Sequence, residues 1–379
     1  MKMEKIKLIA PCLFGVESIA ADEFRRMGFE SVEAENGRVL LEGDFNMLAR
    51  ANINSRFAER ILINMGQFRA TTFTELFDKV KALPWERFIG KDDAFPVSAG
   101  SSINSTLFSI PDCQSIIKKA IVNRLSSKYG ISWFAETGAE FKIRFTIIKD
   151  NVTVTIDTSG EGLHKRGYRR NSNDAPLKET LGAAMCDLAR IFPDTQVYDP
   201  FCGSGTLLIE SALMATKTAP GLRRFFAAER FASIPKIVWQ QERMRAQDLI
   251  IKNVDFRAQG YDIDPSAVEL TLANAKKAGV EKYVKAAVAE IKDFKTPDER
   301  LLVVTNPPYG ERLLDVAEAE KLYKIMGERF DRTQGKKYFV ISPHDEFEKH
   351  FGATADKRRK LYNGMIKCQL FMYFKNKGI

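Results

Sequence analysis

An asparagine, two prolines and a tyrosine stand together at Asn306-Pro307-Pro308-Tyr309, directly after the apolar run Leu301 to Thr305. Proline has no N–H to give a sheet and fixes φ near −65°, so the chain must leave its strand stiffly at this point. Held that way, the Asn306 side-chain oxygen and the Pro307 carbonyl are two acceptors at fixed positions, with a ring beside them. An exocyclic amine on a nucleobase is a poor nucleophile because its lone pair is delocalised into the ring. Accepting both of its N–H bonds localises that pair, and acceptors aimed where positive charge develops act electrostatically. Tyr309 would then stack on a base taken out of its own stack. A plain strand-ending turn uses the same residue types, so the motif takes its meaning from what surrounds it.

Three more segments end strands in a comparable way, and ligands of open α/β sheets bind beyond such ends at a switch point. In VYDPFCGSGTLLIE, Gly203 and Gly205 let the backbone turn sharply just before a helix. No GK[ST] follows, and Leu208 stands where a third glycine would complete a dinucleotide fingerprint. The preceding Asp199-Pro200 places a carboxylate there, which repels phosphate and welcomes an ammonium group. In GYDIDP, Asp262 is set to accept both hydroxyls of a ribose, while Asp264 is expected to cap the next helix. In VAEIKDF, Glu290 ends a strand as an acceptor for an adenine amino group or as a surface carboxylate. These groups describe a pocket for a nucleoside that carries an amine. S-adenosylmethionine fits it; NAD and ATP fit poorly.

The elements that must position these residues are an alternation of helix and strand from Ala175 onward, which predicts a largely parallel sheet covered on both faces. At the end, KRRKLYNGMIKCQLFMYF has Asn363-Gly364 between two strand-like runs, the signature of a hairpin, so the sheet should close with an antiparallel pair. The first fifty-odd residues read as a small α+β unit. A second unit follows, with a helix in TTFTELFDKVKALPW, a longer one in SIPDCQSIIKKAIVNRLSSKYG, and a hairpin with its turn at Asp150-Asn151. The joint GEGLHKRGYRRNSNDAPLKET is glycine-rich and basic. The domains expected are 1–55, 56–160, a linker over 161–174, and 175–379. Lys118, Lys119 and Arg124, with Lys165, Arg166, Arg169 and Arg170 in the joint, are candidates for RNA contact; an ordinary solvated face is the plainer reading of each alone.

Bulk properties agree with this division. The 379 residues, 45% hydrophobic and 28% charged, are too many for one ordinary core. A formal charge of +9 suits a polyanionic partner without requiring one. Five cysteines lie far apart with no CxxC pair, as expected of free thiols in a reducing cytosol. None of the three histidines is spaced with other ligands as in a metal site, and no apolar run is long enough to span a bilayer. The expectation is a cytoplasmic protein without metal.

DPFCGSGT, GYDIDP and NPPYGERL, in this order, resemble a class I methyltransferase using S-adenosylmethionine, and NPPY resembles the motif of enzymes that methylate amino groups. LIAPCLFGVESIAADEFRRMGF, SIPDCQSIIKKAI, SGEGLHKRGYR and APLKETLGAAM extend the resemblance to THUMP-containing RNA methyltransferases. Over essentially the whole chain the likeness is to the N-terminal half of the bacterial 23S ribosomal RNA guanine-N2 methyltransferase. It implies an α/β, Rossmann-like methyltransferase sheet with a terminal antiparallel hairpin, preceded by ferredoxin-like and THUMP RNA-binding units. By position it implies Asp199, Pro200, Phe201, Gly203, Gly205 and Thr206 around the methionine part of the cofactor. Asp262 and Ile263 would meet the ribose side, Glu290 the adenine edge, and Thr180 would lie on a flanking helix. Asn306, Pro307, Pro308 and Tyr309 would carry the catalysis. Residues 217–247 would form a substrate-side excursion, with a packing helix as the alternative reading for Ile237 to Trp239. Glu290 departs from the aspartate usual in the family, and any second methyltransferase half is absent from this sequence. The implied substrate is ribosomal RNA. The same chemistry on transfer RNA, adenine-N6 methylation, and a noncatalytic RNA-binding assembly factor are the alternatives.

Overall fold

The computed structural model describes residues 5–169, 177–296, 300–309, 316–333 and 335–374. The chain divides into two compact units. One comprises the described parts of Met1–Cys12, Ala21–Leu163 and Arg224–Arg245; the other those of Leu13–Ala20, His164–Arg223 and Ala246–Ile379.

In the first half the elements run β1 (Ile6–Pro11), α1 (Glu17–Arg26), β2 (Ser31–Glu35), β3 (Arg38–Gly43), α2 (Phe45–Asn54), β4 (Leu62–Arg69), α3 (Phe73–Lys81), β5 (Val97–Ile103), α4 (Ile110–Tyr129), β6 (Ile143–Ile148) and β7 (Asn151–Asp157). Asp44 and Thr72 cap α2 and α3 by accepting from Met47 and Glu75 amides, and Gly130 ends α4 in the left-handed conformation. The strands form one sheet in the order β2-β3-β1-β4-β7-β6-β5. The two α+β units read from the sequence are thus continuous, because β1 pairs with β4 through Leu8 with Ile63 and Ile9 with Leu62. The β6–β7 hairpin turns on Lys149 and Asp150, which both take positive φ, one residue earlier than expected; Asn151 is already paired with Ile148.

Residues 224–245 pack into this first unit, which agrees with the packing-helix reading around Trp239. Phe231 stacks on Phe141 at 3.8 Å, Trp239 is buried against Phe226, and Glu242 forms a two-pronged ion pair with Arg50 at 2.7 and 2.8 Å. Aromatic bulk and a shielded ion pair hold this segment to a core, which leaves those side chains unavailable to a substrate.

The second half runs α5 (Glu179–Ala189), β8 (Gln196–Asp199), α6 (Thr206–Ala215), α7 (Lys236–Asp248), β9 (Arg257–Asp262), α8 (Pro265–Ala278), β10 (Val284–Val288), β11 (Leu301–Thr305), α9 (Val316–Arg329), β12 (Lys336–Ser342), α10 (Phe347–Phe351), β13 (Lys357–Asn363) and β14 (Ile366–Tyr373). Its sheet has the order β10-β9-β8-β11-β12-β14-β13, parallel from β10 to β12 and antiparallel over the last two. The chain starts in the middle at β8, steps outward to β10, and returns to the other side of β8 as β11. That reversal between β8 and β11 is the switch point. Tyr323, Phe330, Tyr338, Phe347, Phe351 and Phe371 form a buried aromatic cluster beneath β11, β12 and β14 and make that half of the sheet rigid.

Candidate active site at the switch point

The three strand ends picked out by their sequence meet through hydrogen bonds. Asp199 ends β8 and is 2% exposed. Its Oδ1 accepts from the Phe201 amide at 3.1 Å and from the Thr305 hydroxyl, on the last residue of β11, at 2.7 Å. Burial pushes the Asp199 carboxyl up to about 7, with nearby Asp262 adding to the rise, while the Thr305 and Phe201 donors hold it down. Asp262 ends β9; its Oδ2 accepts from the Gly203 amide at 2.9 Å and its Oδ1 from the Asp264 amide at 3.0 Å. Each of these oxygens keeps a second lone pair for a hydroxyl. Ala289, after β10, donates to the Asp262 carbonyl at 3.0 Å, which brings Glu290 to the same edge. The Glu290 side chain pairs with Lys292 at 2.6 Å and is partly exposed.

The glycine loop divides its roles. Gly205 has φ +80°, and a Cβ there would come within 2.9 Å of Thr271, so this glycine lets the loop pack on α8. Gly203 has φ +50°, and a Cβ would meet nothing within 4 Å, so its bare face looks onto open space. Two residues of α8 hold the loop carbonyls: Thr271 donates to Gly203 at 2.8 Å and Asn274 to Ser204 at 2.9 Å. Ile263, beside Asp262, is 67% exposed and offers an apolar surface. Asp264 caps α8 as expected, accepting from Ser266 at 2.8 Å.

Past β11, Pro307 is buried, and Asn306, Pro308 and Tyr309 are half-buried. The Asn306 Oδ1 is buried and has no hydrogen-bond partner among the described residues. Such an atom costs free energy in a folded chain, and native structures hold few of them. The Tyr309 hydroxyl accepts from Asn363 Nδ2 at 3.0 Å, and its burial raises the phenol pKa. The ring is therefore held by the β13–β14 hairpin.

The other candidates fall elsewhere. Pro200 is buried, and Phe201 packs against the aromatic cluster. Thr180 is fully buried on α5. Thr206 opens α6, but its Oγ1 accepts from Arg169 at 2.6 Å. Arg169 also faces Glu179 at 3.6 Å, while Arg166 lies against Glu210 at 3.5 Å with both side chains buried. Tyr168 donates to Glu210 at 3.1 Å. This corrects the RNA-contact expectation for Arg166 and Arg169: their charge neutralises carboxylates within the unit. Lys165 is exposed, and Arg170 lies outside the described residues. Arg166→Ala is expected to destabilise the fold by about 3–5 kcal/mol, since a buried carboxylate would lose its partner. Urea unfolding measures this, and a loss confined to RNA affinity would contradict it. In the first unit, Lys118 pairs with Glu136 and covers the Phe95 ring at 3.6 Å. Arg124 clamps Glu86, whose carboxyl drops to about 2 through that hydrogen bond. Lys119 is exposed.

Sequence reasoning missed Thr305, Thr271, Asn274 and Asn363. The signal for Thr271 and Asn274 was present, since both are polar residues on the otherwise apolar buried stripe of α8. It also missed a cluster remote in sequence. His344 and His350 are half-buried around Glu320, at 3.4 and 3.2 Å. His344 Nδ1 accepts from the Glu346 amide at 3.2 Å. One ligand atom from each of Glu320, His344 and His350 lies within 4.8 Å of the others. The nearby concavity of about 700 Å³, lined by Glu320, Lys324 and His350 among others, contains none of the strand-end residues.

The profile of the RMKL-like methyltransferase domain matches residues 166–371, those of the RlmL ferredoxin-like and THUMP domains match 7–62 and 70–157. The chain belongs to the RMKL-like methyltransferase family. A Bacillus subtilis relative provisionally named RNA methyltransferase YpsC is 41% identical, over 98% of this chain and 97% of its own. The ribosomal RNA large subunit methyltransferase K/L of Syntrophotalea carbinolica is 33% identical over 97% of this chain, but the match covers 53% of that protein. The chain thus spans about half the length of the K/L relatives. Two solved structures share the whole fold. SMU.472, a provisionally named methyltransferase complexed with SAH, is 38% identical, with a TM-score of 0.93 and all of both chains covered. A Listeria monocytogenes protein provisionally described as an N6-adenine-specific DNA methylase is 44% identical, with a TM-score of 0.91 over 98% of this chain and 96% of its own. The chain is a Rossmann-like methyltransferase with a THUMP domain. No described helix is long and apolar enough to cross a membrane.

Proposed function

We propose that this protein transfers a methyl group from S-adenosylmethionine to the exocyclic N2 amine of a guanosine in large-subunit ribosomal RNA. The observation that carries this reading is the buried, unpartnered Asn306 Oδ1 at the switch point, one residue beyond the Thr305 that holds Asp199. When bound, the cofactor supplies an electrophilic methyl group on a sulfonium. Asp199 would face its ammonium group and Asp262 its ribose hydroxyls. The open face of Gly203 leaves room for the methionine part, while Ile263 and Glu290 would border the adenine. Asn306 Oδ1 and the Pro307 carbonyl would accept the two N–H bonds of the target amine and turn its lone pair toward the methyl. Tyr309, tied at its hydroxyl, would present its ring to the base. The THUMP domain and the names of the relatives support RNA as the substrate.

The description of the Listeria structure favours a second reading, adenine-N6 methylation of DNA. Purified protein with methyl-labelled S-adenosylmethionine should be offered unmodified ribosomal RNA, transfer RNA and DNA separately, and the products digested for mass spectrometry of nucleosides. N2-methylguanosine from ribosomal RNA alone is expected. N6-methyladenosine, or label in DNA, would replace the proposal; label in transfer RNA would keep the chemistry and move the substrate.

A further inference from the structure

The β13–β14 hairpin was legible as a hairpin, yet its turn is not the one Asn363-Gly364 encodes. Asn363 pairs with Ile366, so the two-residue loop is Gly364-Met365. Gly364 takes φ +63° and Met365 does not take positive φ, which is the pattern of a type II′ turn with glycine first. The displacement has a local cause: Asn363 stays in the strand, where its side-chain amide donates to the Tyr309 hydroxyl at 3.0 Å. The consequence is that Met365 sits at the tip. It is 97% exposed, the most exposed large apolar side chain among the described residues, and Ile366 beside it is 48% exposed. The second position of such a turn accepts small polar residues readily, so neither turn chemistry nor packing calls for methionine here.

The tip is also placed and stiffened. Seven residue pairs join β13 to β14, and β14 pairs with β12 inside the sheet. Lys360 and Lys367 are exposed on the same hairpin, and Lys360 lies over the Tyr362 ring at 5.3 Å. A rigid apolar point, flanked by cations and bonded to the residue that would stack on the target base, has the chemistry of a wedge for a nucleic-acid stack. Proteins that unstack bases insert Met, Ile, Leu or Phe between steps and hold the adjacent phosphates with cations.

We infer that Met365 is a positioning residue for methyl transfer: it enters the RNA stack and fills the gap left when the target base turns toward Asn306. This rests on the proposed nucleobase reaction. The step breaks no covalent bond; it exchanges base stacking for stacking against Met365 and Tyr309. The cost of extraction is greatest in a paired region and small in a strand that is already single.

The test compares Met365→Asp, Met365→Leu and the parent chain on two probes: a folded, unmodified 23S ribosomal RNA transcript, and the same transcript cut to short fragments and denatured. Met365→Asp is expected to lower kcat/KM on the folded transcript by about 10- to 100-fold, the range of a few kcal/mol of unstacking. On the fragments it should change by less than about twofold, and Met365→Leu should restore the folded transcript. Equal loss on both probes, or none on either, overturns the wedge. The absence of transfer by the parent chain to either RNA would instead remove the RNA reading beneath it. S-adenosylmethionine binding by calorimetry should be the same in all three proteins.

Discussion

Replacing Asn306 by alanine is expected to lower kcat for methyl transfer by about a hundred- to a thousandfold, the usual cost of removing one preorganised charge-stabilising contact. Affinity for S-adenosylmethionine should stay within about twofold, because the strand ends that would hold it, at Asp199, Gly203 and Asp262, keep their own hydrogen bonds. The stability effect should have the opposite sign to the activity effect. In the free protein the Asn306 Oδ1 is buried with no partner among the described residues, a state that costs about 1–3 kcal/mol. Alanine removes that atom, so the unfolding midpoint should hold or rise while turnover collapses. Storing a small penalty in the free state makes sense where the missing donor arrives with the substrate. Asn306→Asp keeps an acceptor at the same reach and should retain more turnover than alanine. Single-turnover assays with saturating cofactor, beside urea unfolding, measure both quantities. Unchanged turnover in Asn306→Ala would end the catalytic assignment.

Much of this site was legible because each part is written in consecutive residues. A proline pair that stiffens a strand end, a glycine loop before a helix, and a carboxylate closing a strand are local features, and the alternation from Ala175 onward was enough to place them at one edge of a parallel sheet. What was not legible depends on residues that meet across the fold. Thr305 reads as the last residue of an apolar strand; its hydroxyl matters only because β11 returns beside β8 and finds Asp199. Asn363 reads as a turn residue until Tyr309 is beside it. The basic joint misled for the same reason. Arg166 and Arg169 look exposed in a run of lysine, arginine and glycine, while Glu179 and Glu210, which neutralise them, lie on separate helices. The excursion 224–245 interrupts the methyltransferase sequence yet packs with the first unit, a choice made by Phe141 and Arg50, far from it in the chain. Composition reports what a side chain is able to do, and only tertiary pairing reports what it is already doing.

Binding of S-adenosylmethionine should release a proton from Asp199, and its affinity should climb with pH up to neutrality. The free carboxyl, pushed up to about 7 by burial, is largely protonated at pH 6. An ammonium group placed against it favours the ionised form, so binding below pH 7 requires the proton to leave. The dissociation constant is expected to fall by about tenfold per unit between pH 5.5 and 6.5, and to level off once Asp199 is ionised in the free protein. The effect on folding runs the other way. An unfolded aspartate ionises near 3.9, so between about pH 4 and 7 the unfolded chain has lost a proton that the folded chain keeps, and stability falls as pH rises across that window. Below pH 4 both states are protonated and the penalty is absent; above 7 it is complete, on the order of 4 kcal/mol at most. Asp199→Asn should therefore be more stable than the parent at pH 8, bind the cofactor more weakly there, and lose the pH dependence. Calorimetric titration at pH 6 in two buffers of different ionisation enthalpy counts the protons directly. A count of zero in the parent protein would show that the ammonium group does not meet Asp199, and the cofactor's orientation across the switch point would have to be drawn again.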